Sequence, residues 1–101
     1  LFEISYNIYV AMINKKLESI RRKLDNLDNH FLSLIKKRTL LVNQVLLTKK
    51  FKNQIIDKKR IKKILANIKS KSIKKNIDVK ITNEIWKSMI RAYIKYEFRK
   101  F

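Results

Sequence analysis

From residue 13 onward the apolar positions fall into a sustained helical rhythm. Ile13, Leu17, Ile20, Leu24, Leu27, Phe31 and Leu34 alternate spacings of 4 and 3, and the register runs on through position 38 to Leu41 and Val45. This pattern predicts one long helix to about Lys50, at least ~50 Å long at a rise of ~1.5 Å per residue. Roughly 50 residues follow, too few to cover such a rod, so a second copy of the chain is expected on its seam. Asp57, a good N-cap, precedes Ile61, Ile64, Leu65 and Ile68 at helical spacing and predicts a second helix. Phe51 to Ile56 is then the first connection. A third helix is expected to start near Thr82, with Glu84 in its first turn and an apolar face of Ile85, Trp86, Met89, Ile90 and Tyr93. Asn76 to Ile81 is then the second connection. The expected fold is all-α, a long, a short and a medium helix in a single domain over residues 1–101. The pattern leaves open whether residues 1–12 extend the long helix or pack separately.

Several polar residues stand where these stripes call for apolar ones. Position 38 of the seam is Arg38, and a guanidinium there is costly unless an anion meets it. Lys49 lies three turns further along the same expected helix and about 20° away at 3.6 residues per turn. Arg21 flanks the seam towards the other end, so an antiparallel pairing of two such helices lets Arg21 of one copy approach Arg38 of the other. The stripe Trp86, Ile90, Tyr93 leads to Glu97, and Arg60 sits beside Ile61 and Ile64. Singly, each has a plain reading: long basic side chains snorkel from apolar faces, and Glu97 can pair with a lysine. Together, cations and one carboxyl group converging between helices suit a small dianion.

Composition narrows the chemistry further. The 101 residues contain no Gly, Pro or Cys and one His. Without Cys there are no disulfides, thiolate metal sites or cysteine nucleophiles. Without Gly there is no Walker loop, dinucleotide fingerprint or EF-hand. One His makes a His-based zinc site or triad implausible, and no cofactor is expected. Hydrophobic content of 46% separates the chain from disordered basic tails. The 26 Lys+Arg against 8 Asp+Glu give +18, which attracts nucleic acid, anionic membrane and small polyanions alike. The wealth of Lys, Ile and Asn is also what AT-rich coding gives, with most lysines on the solvated surface. No apolar run is long enough to span a membrane. The stretch Leu1 to Ile13 has Glu3 and no basic n-region, so no signal peptide is read there. The start at Leu1 rather than Met predicts a trimmed or processed end, and a cytoplasmic location is expected. His30 is expected on the outer face of the long helix and Trp86 in the core.

The ordered residues resemble the all-helical (AroQ-type) chorismate mutases. Arg21, Leu24, Asp25, Leu27 and Asp28 follow that family's first-helix pattern R-x-x-I-D-x-I-D, Leu34 and Arg38 its L-x-x-x-R, and Lys49 its following lysine. Ile56, Asp57 and Arg60 are similar to its I-x-D-x-x-R-E entry to the second helix. The similarity covers about residues 17 to 99. It implies an intertwined homodimer in which each site is completed by the other copy. Arg21 would cross from the partner chain, Arg38 would grip a substrate carboxylate in its own chain, and Lys49 would reach the ether oxygen and a carboxylate. Arg60 and Asp57 would line the mouth, with Tyr93 and Glu97 from the third helix.

Two departures stand out against the resemblance. Ile61 replaces the acidic residue that contacts the substrate hydroxyl, and Glu97 replaces the usual third-helix glutamine that donates to the ether oxygen, although glutamate occurs there in the eukaryotic branch. The missing acid, the shorter segment from Lys49 to Arg60 and the tail Tyr93-Ile-Lys-Tyr are similar to the isochorismate pyruvate lyase branch. The implied reaction is chorismate to prephenate, a pericyclic step that needs no nucleophile, metal or proton shuttle. Isochorismate cleavage to salicylate and pyruvate is the near alternative. A basic helical nucleic-acid-binding protein is the distant one, favoured by Lys58, Lys59, Arg60, Lys62 and Lys63 and disfavoured by the lack of any recognisable motif. A mutase fold kept only as a dimeric interaction module is a third reading, prompted by Ile61.

Overall fold

A computed structural model describes residues 2–101; Leu1, the first residue of the expected domain, lies outside them. The architecture is all-α, as the periodicity predicts, with α1 over Phe2–Leu47, α2 over Lys58–Lys74, α3 over Val79–Lys100 and a single 3-10 turn at Lys52–Gln54. The chain divides into two compact units, Leu1–Thr39 and Leu40–Phe101. Among the described residues no helix is long and apolar enough to cross a membrane.

The described residues of the first unit are helical throughout. Residues 2–12 continue α1, with Glu3 in its first turn and neither Gly nor Pro to interrupt it. The seam residues Ile13 to Leu34 are all exposed, between 41% for Leu17 and 60% for Leu34. His30 is exposed as expected.

In the second unit α2 packs against α3. Asp57 caps α2 as predicted, its Oδ1 accepting from Arg60 N at 2.9 Å. The inward stripe Ile61, Ile64, Leu65 and Ile68 is half-buried, while Lys58, Lys59, Lys62 and Lys63 face water. On α3 the matching stripe is Thr82, Trp86, Met89, Ile90, Tyr93 and Glu97. Trp86 is half-buried rather than fully in the core, and Ile85, off this stripe, is exposed.

Helix boundaries shift from the expected ones for identifiable reasons. Instead of reaching Lys50, α1 stops at Leu47, where Thr48 N and Lys49 N tighten onto Val45 O and Leu46 O. The Thr48 hydroxyl also donates to Val45 O at 2.6 Å. Lys49 therefore lies beyond the helix and does not continue the stripe of Arg38. At the other junction α3 starts at Val79, earlier than Thr82, because Asp78 Oδ1 accepts from Lys80 N at 2.8 Å and caps it. Glu84 consequently sits in the second turn, and the connection shrinks to Lys75–Asp78. That tight turn needs one left-handed residue, Asn76 at φ 56°. Asn76 N then donates to Ile73 O and Ile77 N to Ser72 O, a Schellman arrangement that satisfies the last carbonyls of α2.

Candidate active site

The second unit brings Lys49 and Glu97 together from opposite ends of its sequence. Lys49 Nζ lies 3.6 Å from Glu97 Oε1, with the two side chains only 15% and 9% exposed. The same ammonium donates to the carbonyl of Ile55 at 3.3 Å. Ile55, at 3% exposure, is the buried hydrophobic residue of the unit, and it anchors the end of the 3-10 turn. Glu97 is reached because α3 turns the stripe Thr82, Trp86, Ile90, Tyr93 inward, so the carboxylate inherits a buried position from helical spacing. A buried carboxylate is tolerated when a cation meets it, and here Lys49 does.

Neighbouring contacts fix α3 in register. Tyr96 donates its hydroxyl to Asn43 Oδ1 at 2.7 Å, tying α3 to the last turns of α1 next to Glu97. Tyr93 meets Tyr96 edge-to-face, with ring centroids 6.3 Å apart. Arg99 and Lys100 each place a cation 6.0 Å from the Tyr96 ring. At the far end of the α2–α3 pair the buried hydroxyls of Ser72 and Thr82 are 2.8 Å apart.

The remaining predicted site residues are placed as follows. Asp57 spends its carboxylate on capping α2, and the Arg60 side chain is exposed one turn in. Ile61 is half-buried on the inward stripe. Arg21 and Arg38 belong to the first unit, Arg21 exposed and Arg38 half-buried. Sequence reasoning passed over Asn43, Gln54, Ile55 and Tyr96, which hold Lys49 and Glu97 in place. The signal for Gln54 was present, since Gln three residues after a helix entry commonly reaches back to backbone N–H groups.

A comparison with family models returns chorismate mutase type II over residues 20–98. The chain belongs to that family. No curated protein and no solved structure matches it. The matched stretch begins one residue before Arg21 and ends one residue after Glu97, so every site residue named from the sequence lies within the chorismate mutase portion. Residues 2–19 of α1 lie outside it.

Proposed function

We propose that this chorismate mutase family member rearranges chorismate to prephenate. The observation that carries the reading is the Lys49–Glu97 pair, a cation and a carboxyl group held at 3.6 Å and largely shielded from solvent, in a chain without cysteine and with one histidine. The uncatalysed step is intramolecular, so the protein has to hold the dianion in its compact conformer and stabilise charge building on the breaking ether oxygen. Arginines do the first by charge-assisted, bidentate contacts to carboxylates. A preorganised cation or hydrogen-bond donor does the second.

In this reading Arg38 grips one carboxylate and Lys49 serves the ether oxygen. Arg60 and Tyr93 line the site, Asp57 shapes its mouth through the α2 cap, and Ile61 packs where relatives carry an acid. Two copies pair through the exposed α1 seam, and Arg21 of the partner copy completes the binding of the dianion. The homodimer is supported by the row of apolar residues from Ile13 to Leu34 left exposed in the single chain. A cytoplasmic location suits the substrate.

Chorismate and isochorismate offered side by side test the proposal. Prephenate is expected from the first, and Arg38→Ala should lower that rate by roughly 100-fold, the worth of a charge-assisted carboxylate contact. Salicylate and pyruvate from isochorismate, with no prephenate, would transfer the site to lyase chemistry. Inertness towards both, together with duplex DNA affinity that collapses with salt, would favour the nucleic-acid reading.

A further inference from the structure

Residues 48–57 connect α1 to α2 through a tight turn with neither Gly nor Pro, the residues that usually make such turns. A side chain does the work instead. Gln54 Oε1 accepts from Lys50 N at 2.6 Å and from Phe51 N at 3.0 Å, the two amides directly after Lys49. Gln54 N and Ile55 N in turn donate to Phe51 O and Lys52 O. The turn ends on buried Ile55, whose carbonyl receives Lys49 Nζ. Backbone and side chain thus close a ring: Lys49 leads into the amides held by Gln54, the turn leads to Ile55, and Ile55 returns to the Lys49 ammonium beside Glu97.

We propose that Gln54 is a positioning residue, whose side-chain carbonyl fixes the turn that aims the Lys49 ammonium at the candidate site. The role rests on the mutase reading of that site. A lysine has four rotatable bonds and loses about 2 kcal/mol of rotamer freedom when held still. An ammonium stabilises a transition state well only when that ordering precedes the reaction. Gln54 supplies it without touching substrate. Its side chain is exposed, so water can replace the two hydrogen bonds in a variant, and folding should suffer little. Aim is what is lost. Both bonds use the oxygen of the amide, so a carboxylate serves equally well while a methyl group does not.

The prediction is a double-mutant cycle. Gln54→Ala should lower kcat for chorismate roughly 10-fold with KM changed less than about twofold, because a misplaced donor weakens the transition state more than binding. Gln54→Glu should restore it. In a Lys49→Ala background Gln54→Ala should cause no further loss, since the group it aims is gone. A second readout is independent of turnover: the rate at which acetic anhydride labels Lys49, followed by mass spectrometry. Labelling should rise several-fold in Gln54→Ala and stay at the wild-type rate in Gln54→Glu. An equal loss of kcat in both backgrounds, or Lys49 labelling that ignores Gln54→Ala, would overturn the positioning role. A wild-type chain that leaves chorismate unchanged would overturn the mutase reading instead, and the labelling would still decide the geometry.

Discussion

In the proposed mutase reading Glu97 concentrates the chemistry of the site in one side chain. It is 7% exposed and paired with Lys49, and the family resemblance implies an amide at its position. Negative charge grows on the ether oxygen as the carbon–oxygen bond breaks. A carboxylate beside that oxygen would repel the charge, whereas a side-chain amide would donate a hydrogen bond to it. Under the proposed mutase reading Glu97→Gln supplies such a donor and should raise kcat for prephenate formation several-fold; an unchanged kcat in that variant would remove Glu97 from the ether oxygen. Glu97 was legible in the sequence because it breaks an apolar stripe, whereas Lys49 was assigned to a helix that ends two residues before it. Gln54 and Asn43 were not legible, because polar residues off the apolar stripes look alike until the folded chain shows what they bond.

At the level of elements, the caps decide where helices begin and end, and they explain which boundaries the periodicity could predict. The start of α2 was readable because Asp57 stands immediately before a regular apolar stripe. Asp78 was hidden because the first turn it caps carries Lys80 and Ile81 off the stripe and faces inward only through Val79 and the polar Thr82. Thr82 is buried not as a hydrophobe but through its hydroxyl, which meets Ser72 at 2.8 Å. The caps also make opposite predictions two residues apart. Asp78→Ala removes the acceptor for Lys80 N and should cost about 1 kcal/mol. Asn76→Gly relieves a side chain held at φ 56° and should stabilise by up to about 1 kcal/mol. Urea midpoints moving in these opposite directions, with the slope unchanged, would check both. A rise in the midpoint for Asp78→Ala would contradict the cap.

On the scale of the whole molecule, two features oppose each other. The exposed seam of α1 favours pairing of copies, while +18 on each copy resists it. Burial of apolar surface changes little with salt, but repulsion between surface charges is screened within about 10 Å at 0.1 M. The melting midpoint should therefore rise with protein concentration, because pairing adds stability by mass action, and rise again with ionic strength at fixed concentration. A midpoint indifferent to a 100-fold dilution (about two decades, where mass action predicts a clear shift) would exclude a dimer linked to folding. Fold class and helix count were legible at this scale because a heptad seam persists over many turns. The partner was legible only as an expectation, since one chain's pattern shows an uncovered face and not what covers it.

The order of synthesis gives the exposed α1 seam a further meaning. Leu1–Thr39 is synthesised before Leu40–Phe101, and making that second unit takes roughly 3–12 s at about 5–20 residues per second. During that time the emerging helix presents Leu17, Ile20, Leu24 and Leu27 to every neighbouring nascent chain on the same message. Lys15, Lys16, Arg21, Arg22 and Lys23 travel beside them, and like charge holds such chains apart until each is finished. The cations that hinder pairing of mature copies are thus well placed to guard unfinished ones from premature association.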